Sequence, residues 1–427
     1  MTKITRRTLG RWTLAALSVG ALRSRLARAA GKPRVVVLGG GAGGASAARR
    51  VAELSQGAVD VTLIERSARY TSCFFSNHYL GGLQSLETLV HDYDQLHSRF
   101  GIKTVTASAT AIDRDARMVV LEGGERVPYD RLILSPGIDM MYDSLPGYSE
   151  EAAQVAPHAW RGGEQLRLLK AKLDAVEDGQ TVIMVPPPNP YRCPPAPYER
   201  ASMMAHLFKA KGFSNTRIII LDPKPSFPKQ RLFDEGWSTL YPGMIEWYGP
   251  GVHGGVIGVD VVAGSVETDF DTFEGDLLTL IPAQRAGGIA RDAGLADGTG
   301  FCPIEAETMR SRVDAGIYVL GDSAIAGDMP KGAFAANSQA QVAALAVLAD
   351  LTERARSPAS YANTCWSVIE ENDAVKEGGR YAPLDGRITA THHVLSQPGE
   401  SPDVRRANAE EAAAWYAAIV SDMFGYG

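Results

Sequence analysis

The stretch that most narrows the fold of this chain is residues 34 to 66, RVVVLGGGAGGASAARRVAELSQGAVDVTLIER. An apolar run, Val35 to Leu38, leads straight into Gly39, Gly41 and Gly44 in G-x-G-x-x-G spacing. A helical stretch follows, then a second apolar strand ending at Glu65. The three glycines answer three steric demands. Gly39 permits a tight turn, Gly41 lets backbone approach a pyrophosphate, and Gly44 lets the helix pack on the strand. The helix N-terminus then points free N–H groups and the positive end of its dipole at the phosphates. Glu65, 26 positions after Gly39, is placed to accept hydrogen bonds from ribose hydroxyls. Strand, glycine turn, helix and strand in this order predict an α/β, doubly wound fold.

The 427 residues, 45% of them hydrophobic, suffice for two or three domains with substantial cores, which argues against a disordered or fibrous chain. The first 30 residues stand apart. Thr5, Arg6, Arg7, Thr8 and Leu9 precede an apolar run, Trp12 to Leu22, and the small residues Ala27, Ala29 and Ala30, with no acid in the segment. This pattern predicts a twin-arginine export signal, and so a periplasmic protein that crosses the membrane with its cofactor loaded. Loss of Lys3, Arg6, Arg7, Arg11, Arg23, Arg25 and Arg28 from the 43 bases leaves 36 against 49 acids, a net charge of −13. So acidic a chain argues against nucleic acid or anionic membrane as partners and suits a basic protein. No later run is long and apolar enough for a transmembrane helix.

Two later segments decide which dinucleotide is expected. Residues 118 to 138, MVVLEGGERVPYDRLILSPGI, read as a hairpin feeding an apolar strand that ends in Ser135, Pro136 and Gly137. Residues 316 to 342, GIYVLGDSAIAGDMPKGAFAANSQAQV, read as a strand ending in Gly321 and Asp322, then a loop and a helix. Both resemble the downstream signatures of FAD-dependent disulfide-reductase-like flavoproteins. That resemblance implies FAD, with Asp322 on the ribityl chain and a helix start near Lys331 and Gly332 that stabilises charge on the reduced ring. A second Rossmann-like unit is expected around the strand Thr181 to Val185, but its turn reads PPPNPYRCPPAPYERAS. Prolines there lack the N–H groups that bind phosphate. No nicotinamide dinucleotide is therefore expected, although the strand and acid at Arg217 to Asp222 keep the frame.

The cysteines are Cys73, Cys193, Cys302 and Cys365, and three full pairings are open to them. None forms C-x-x-C-H or C-x-x-C, so any c-type haem sits on another chain and a zinc ribbon is excluded. Cys193 lies in the proline-filled loop, which faces the flavin across the crevice in doubly wound proteins. A bridge from it to Cys365, in YANTCWSVIE, would be either a redox centre beside the isoalloxazine or an inert staple. Cys302, in GTGFCPIEAETM, would remain as a buried thiol.

Five motifs together carry a more specific resemblance: CFFSN with YLGG behind it, PYRCPPAPYERAS, NTCWS, MPKGAFAANSQAQ and WYAAIVSDMFG. Over essentially its whole mature length the chain is similar to the flavoprotein subunit of flavocytochrome c sulfide dehydrogenase. The resemblance implies a thioether from Cys73 to the 8α-methyl of FAD, a redox-active disulfide between Cys193 and Cys365, and a proton-handling role for Glu199. It also implies oxidation of sulfide to sulfur or polysulfide, with electrons passed to a c-type cytochrome subunit. The chemistry is coherent: HS⁻ attacks a disulfide sulfur to give a persulfide and a thiolate, and a flavin converts two-electron into one-electron transfer. Trp366, Trp415, Tyr416 and His78 are further candidates for the flavin's surroundings.

Two other functions fit part of the pattern. A sulfide:quinone oxidoreductase shares the fold and persulfide chemistry, but Glu410, Glu411 and Asp422 interrupt any basic apolar stripe at the C-terminus. An auxiliary flavoprotein of a thiosulfate-oxidising system, restoring a carrier protein's thiol, would keep the same cysteines. The expected division is a signal at 1–30, an FAD-binding domain at 31–142 and 276–348, a second Rossmann-like domain at 143–275, and a C-terminal α+β domain at 349–427.

Overall fold

A computed structural model describes residues 31–426; the expected export signal, residues 1–30, lies outside the described residues. Five parallel strands form the first sheet, in the order Ile317–Val319, Arg131–Leu134, Arg34–Leu38, Asp60–Glu65 and Lys103–Thr106. Val35, Val36 and Val37 are all buried, as expected of a parallel sheet covered on both faces. Register does the functional work. Leu38 lies opposite both Ile64 and Leu134, and Leu134 opposite Val319. Gly39, Glu65, Ser135 and the Leu320–Gly321 turn therefore emerge side by side at one carboxyl edge, where open α/β sheets bind ligands.

Two glycines hold that edge together. Gly39 has φ +100°, and a Cβ on it would stand 2.3 Å from the Ser135 carbonyl oxygen. A Cβ on Gly44, in the helix Ala42–Ser55, would stand 1.8 Å from the carbonyl oxygen of Gly39. Helix and turn touch through backbone, as the glycine spacing predicts.

The second sheet is also parallel, in the order Ile245–Tyr248, Arg217–Leu221, Thr181–Val185 and Leu277–Leu280. Here the sequence division needs correcting. Leu277–Leu280, assigned above to the FAD-binding part, pairs with Thr181–Val185, with Val182 opposite Leu277. The chain returns toward the first unit with Ala283–Ala286, antiparallel to Ile138–Met141. A short apolar run carries no mark of which buried parallel sheet it joins.

The C-terminal part is a three-stranded antiparallel meander, Tyr361–Glu370, Asp373–Leu384 and Arg387–Leu395, followed by the helix Pro402–Phe424. Ser401 caps that helix by accepting from the Val404 N–H. Near its far end Asp422 binds Arg49 and Arg50 of the glycine-turn helix and, at 2.6 Å, Asn337 of the helix Ala333–Leu351. The C-terminal module is thereby clamped to the first unit. Among the described residues no helix is long and apolar enough to cross a membrane.

Candidate active site

A cavity of about 810 Å³ runs from the glycine turn to the C-terminal sheet. Gly39, Gly41, Glu65, Cys73, Gly137, Cys193, Glu199, Gly321, Asp322, Lys331, Gly332 and Cys365 all line it. Of the residues singled out in the sequence for the cofactor's surroundings or catalysis, Gly44 and Tyr416 do not; Gly44 is taken up by the contact of helix with turn.

At the glycine end, the Glu65 carboxylate accepts from the Gly40 N–H at 2.7 Å, tying the second strand to the turn. Further along, Asp322 is paired through one oxygen with Arg192, Nε to Oδ2 at 2.6 Å. Its other oxygen is buried without a partner, and so is the indole N–H of Trp160 on the cavity wall. Buried polar atoms left unpaired are costly. These two suit a ligand that brings hydroxyls and further acceptors. A helix N-terminus for phosphates, a backbone turn that excludes side chains, and an orphan acceptor midway fit FAD.

Lys331 is held by its own loop. Its ammonium donates to the carbonyls of Asp322 and Ala324, both at 2.8 Å, and sits 3.9 Å from the centre of the Phe301 ring. Burial pushes its pKa down to about 8. The side chain thus braces the loop, and the loop offers the cavity the start of the helix Ala333–Leu351 rather than an ammonium.

The thiols lie at the other end of the cavity. The proline-filled loop turns at Cys193, which has φ +53°, a strained conformation for a residue with a side chain. Its N–H donates to the Lys331 carbonyl at 2.8 Å and its carbonyl accepts from the Ala196 N–H, so the loop is held at both faces. Cys365 sits in the strand Tyr361–Glu370 opposite Glu377. All four cysteines are free thiols here, and Cys193 and Cys365 both line this end of the cavity, close enough to act on each other's ionisation. Each acts on the other: the neighbouring thiol and burial push Cys193 up, while its neighbour, with Lys229 nearby, holds Cys365 down.

Glu199, on the helix Ala196–Ala210, faces both thiols. One oxygen accepts from the Val368 N–H at 3.0 Å and the other from Asn77 at 2.7 Å. Burial raises its pKa, and these two donors offset the rise in part. Asn77 is itself held, its oxygen accepting from buried Arg200 at 3.4 Å. His78 lines the same wall and is kept neutral by burial, at about 4. Trp366 and Trp415 also line the cavity, their rings 5.5 Å apart, with Phe334 stacked on Trp415. Tyr416 is structural: it stacks on Phe75 and donates to the Thr88 carbonyl. Cys302 is completely buried, its thiol pushed up to about 12.

The mouth of the second sheet is filled by protein. Asp222, the acid at the end of its strand, is wholly buried. It accepts from Tyr198, from the Trp247 indole at 3.0 Å and from Lys224 at 2.7 Å. Tyr198 in turn stacks on Phe227 at 3.6 Å. No acceptor is left over for a ribose.

Sequence reasoning missed Arg192, Asn77 and Lys229. Arg192 adjoins Cys193 and lies 3.6 Å from the Cys73 sulfur; its place in PYRCPP was the available signal. Asn77 stands in the quoted CFFSN motif. Lys229 had no local signal.

Family models match three segments of the chain. They are "Sulfide dehydrogenase [flavocytochrome c] flavoprotein chain, central" over 166–282, "Flavocytochrome c sulphide dehydrogenase, flavin-binding" over 357–424, and "Pyridine nucleotide-disulphide oxidoreductase" over 33–177. A mitochondrial sulfide:quinone oxidoreductase of Dictyostelium discoideum is 22% identical over 320 residues, spanning 72% of this chain and 69% of its own length. A sulfide-quinone reductase of Aquifex aeolicus is 27% identical over 180 residues, 42% of this chain and 40% of its own. In structure, the sulfide:quinone oxidoreductase of Aquifex aeolicus superposes with a TM-score of 0.72 at 16% identity, covering 92% of both chains. At that identity the likeness shows a shared fold.

Proposed function

Since this chain belongs to the flavocytochrome c sulfide dehydrogenase flavoprotein family, we propose that it is a periplasmic sulfide:cytochrome c oxidoreductase. It works through a Cys193–Cys365 disulfide and FAD bound covalently to Cys73. The observation that carries this reading is one cavity lined by both the Cys193 and Cys365 thiols and the glycine-rich turn.

HS⁻ attacks one sulfur of the disulfide; the S–S bond breaks, the attacked cysteine becomes a persulfide and its partner leaves as thiolate. FAD bound in the cavity supplies a two-electron acceptor that releases its electrons singly. Glu199, fixed by Asn77 and the Val368 N–H, holds the proton given up by the persulfide. Its raised pKa sets the sign of the pH effect. The carboxylate form accepts the proton, so kcat at saturating sulfide falls as pH drops through a pKa above the ordinary 4.5 of glutamate. Glu199→Gln removes that acid limb and lowers kcat by about 10²- to 10⁴-fold; an unchanged pH profile in this variant counts against the role.

Three observations favour a cytochrome as acceptor. The second nucleotide mouth is filled around Asp222. The helix Pro402–Phe424 exposes Asp403, Arg406, Glu410 and Glu411 and, farther along, only the small side chains of Ala413, Ala414, Ala417 and Ala418, with no stripe of bases or large apolar side chains. The mature chain's net charge of −13 suits docking of a basic protein.

The test mixes purified protein with sulfide and a c-type cytochrome in a stopped-flow instrument. Rapid cytochrome reduction is expected. Rapid reduction of NAD⁺ or of a quinone in its place, or reactivation of a thiol carrier alone, overturns the assignment. Acid precipitation checks the flavin linkage on the same samples: yellow colour stays with the wild-type protein and is released from Cys73→Ser.

A further inference from the structure

Lys229 is a buried lysine, 7% exposed, at a left-handed residue (φ +63°) that opens the helix Gln230–Leu240. Its ammonium donates to the Cys365 carbonyl at 3.0 Å and to the Ser367 hydroxyl at 2.7 Å. Both acceptors are neutral. Among the described residues it makes no direct ion pair, although it acts at longer range on the Glu199 carboxylate. A buried ammonium with no charged group in contact is costly, and a strained backbone conformation persists only where the surroundings impose it.

The counter-charge is legible in the strand. Residues two apart in a strand point to the same face, so the side chains of Cys365 and Ser367 share one. An ammonium bonded to the Ser367 hydroxyl therefore stands on the face that carries the Cys365 sulfur. The charged and titratable groups facing that sulfur are Cys193 and Glu199 across the cavity, Glu377 on the neighbouring strand with His393 bound to it at 3.1 Å, and Lys229. Glu199 and Glu377 work against a thiolate at Cys365; Lys229 and the Cys193 thiol work for it. Lys229 acts in the same sense on Cys193, but its ammonium is bonded to the carbonyl of Cys365 itself.

We propose that Lys229 is the positioning residue that makes Cys365 the thiolate of the pair, so that sulfur from sulfide is deposited on Cys193. The proposal rests on the disulfide reading above. The step balances as follows. HS⁻ attacks the Cys193 sulfur, and the S–S electron pair passes to Cys365, which leaves as a thiolate beside the ammonium. The hydrogen stays on the terminal sulfur of the Cys193 persulfide. A disulfide opens faster toward the thiol with the lower pKa as leaving group, and the structure makes that thiol Cys365.

The experiment uses the FAD-loaded full chain, reduced with a phosphine and alkylated with iodoacetamide across the pH range of thiol ionisation, with each cysteine quantified by peptide mass. In the wild type Cys365 is labelled before Cys193. In Lys229→Met the Cys365 midpoint rises by about one pH unit, which is roughly tenfold slower labelling below it; Lys229→Arg restores most of the difference. Anaerobic treatment of the oxidised wild type with sulfide places the extra sulfur on the Cys193 peptide. An unshifted Cys365 profile in Lys229→Met, or the extra sulfur on Cys365, overturns the proposal. If Lys229→Met does not fold, Ser367→Ala removes one anchor of the ammonium and moves the midpoint the same way by less; no movement there is equally fatal. A non-reducing peptide map of the wild type keeps the two readings apart. If Cys193 and Cys365 are unbridged there, the disulfide reading fails whatever Lys229 does to the labelling.

Discussion

Serine in place of either Cys193 or Cys365 is expected to abolish sulfide oxidation and leave FAD in the protein. A serine oxygen forms neither a disulfide nor a persulfide, so both singles lose at least about 10³-fold in turnover, and the double variant is no worse than either, as expected of residues acting as one unit. The two thiols line the far end of the cavity from the glycine turn, so the groups proposed to hold FAD at Gly39, Glu65 and Asp322 keep their contacts. Each single also removes the proposed bridge, which costs about 2–5 kcal/mol of stability in the oxidised protein, so turnover is compared on folded, flavin-loaded samples. Flavin absorbance and sulfide-dependent cytochrome reduction, measured on the same preparation, check both halves. A single variant with more than a tenth of wild-type turnover, or a non-reducing map that puts Cys302 in the bridge, defeats the assignment.

Gly44→Ala is expected to be the most damaging change of a single methyl group outside the chemistry. The new Cβ meets the Gly39 carbonyl oxygen at 1.8 Å, and a backbone oxygen cannot swing away as a side chain can. The helix must lift off the strand, at a cost of about 3 kcal/mol or more, above the usual range for overpacking. The turn that receives the pyrophosphate is disordered with it. Gly41→Ala is the control. There the added Cβ meets only the Tyr70 ring, at 3.7 Å, so the apoprotein keeps its denaturation midpoint while FAD affinity falls. Denaturation of apoproteins and flavin content of purified proteins separate the two effects. A Gly44→Ala protein with wild-type midpoint and full flavin refutes the argument.

What the sequence determined by itself is local. The run from Val35 to Glu65 specifies strand, turn, helix and strand because each glycine answers a steric demand made by residues within a few positions of it. The prolines after Val185 withhold the N–H groups of a phosphate turn for the same reason, while Cys73 stands in a short motif that only a family resemblance interprets. The apolar run Leu277–Leu280 could not be allotted, since its sheet is decided by pairing with Val182 and Val185, which lie far away in the chain. Lys331 shows the same limit at one side chain. Its position beside the helix start was readable, but its ammonium goes to carbonyls of Asp322 and Ala324, and only the folded loop supplies those. Asn77, Arg200 and Glu199 come from two helices, and Lys229 approaches Cys365 across 136 positions of chain. Which cysteine bears the charge is decided by such convergence, because electrostatic influence depends on distance and burial in space, and neither is written in the order of the residues.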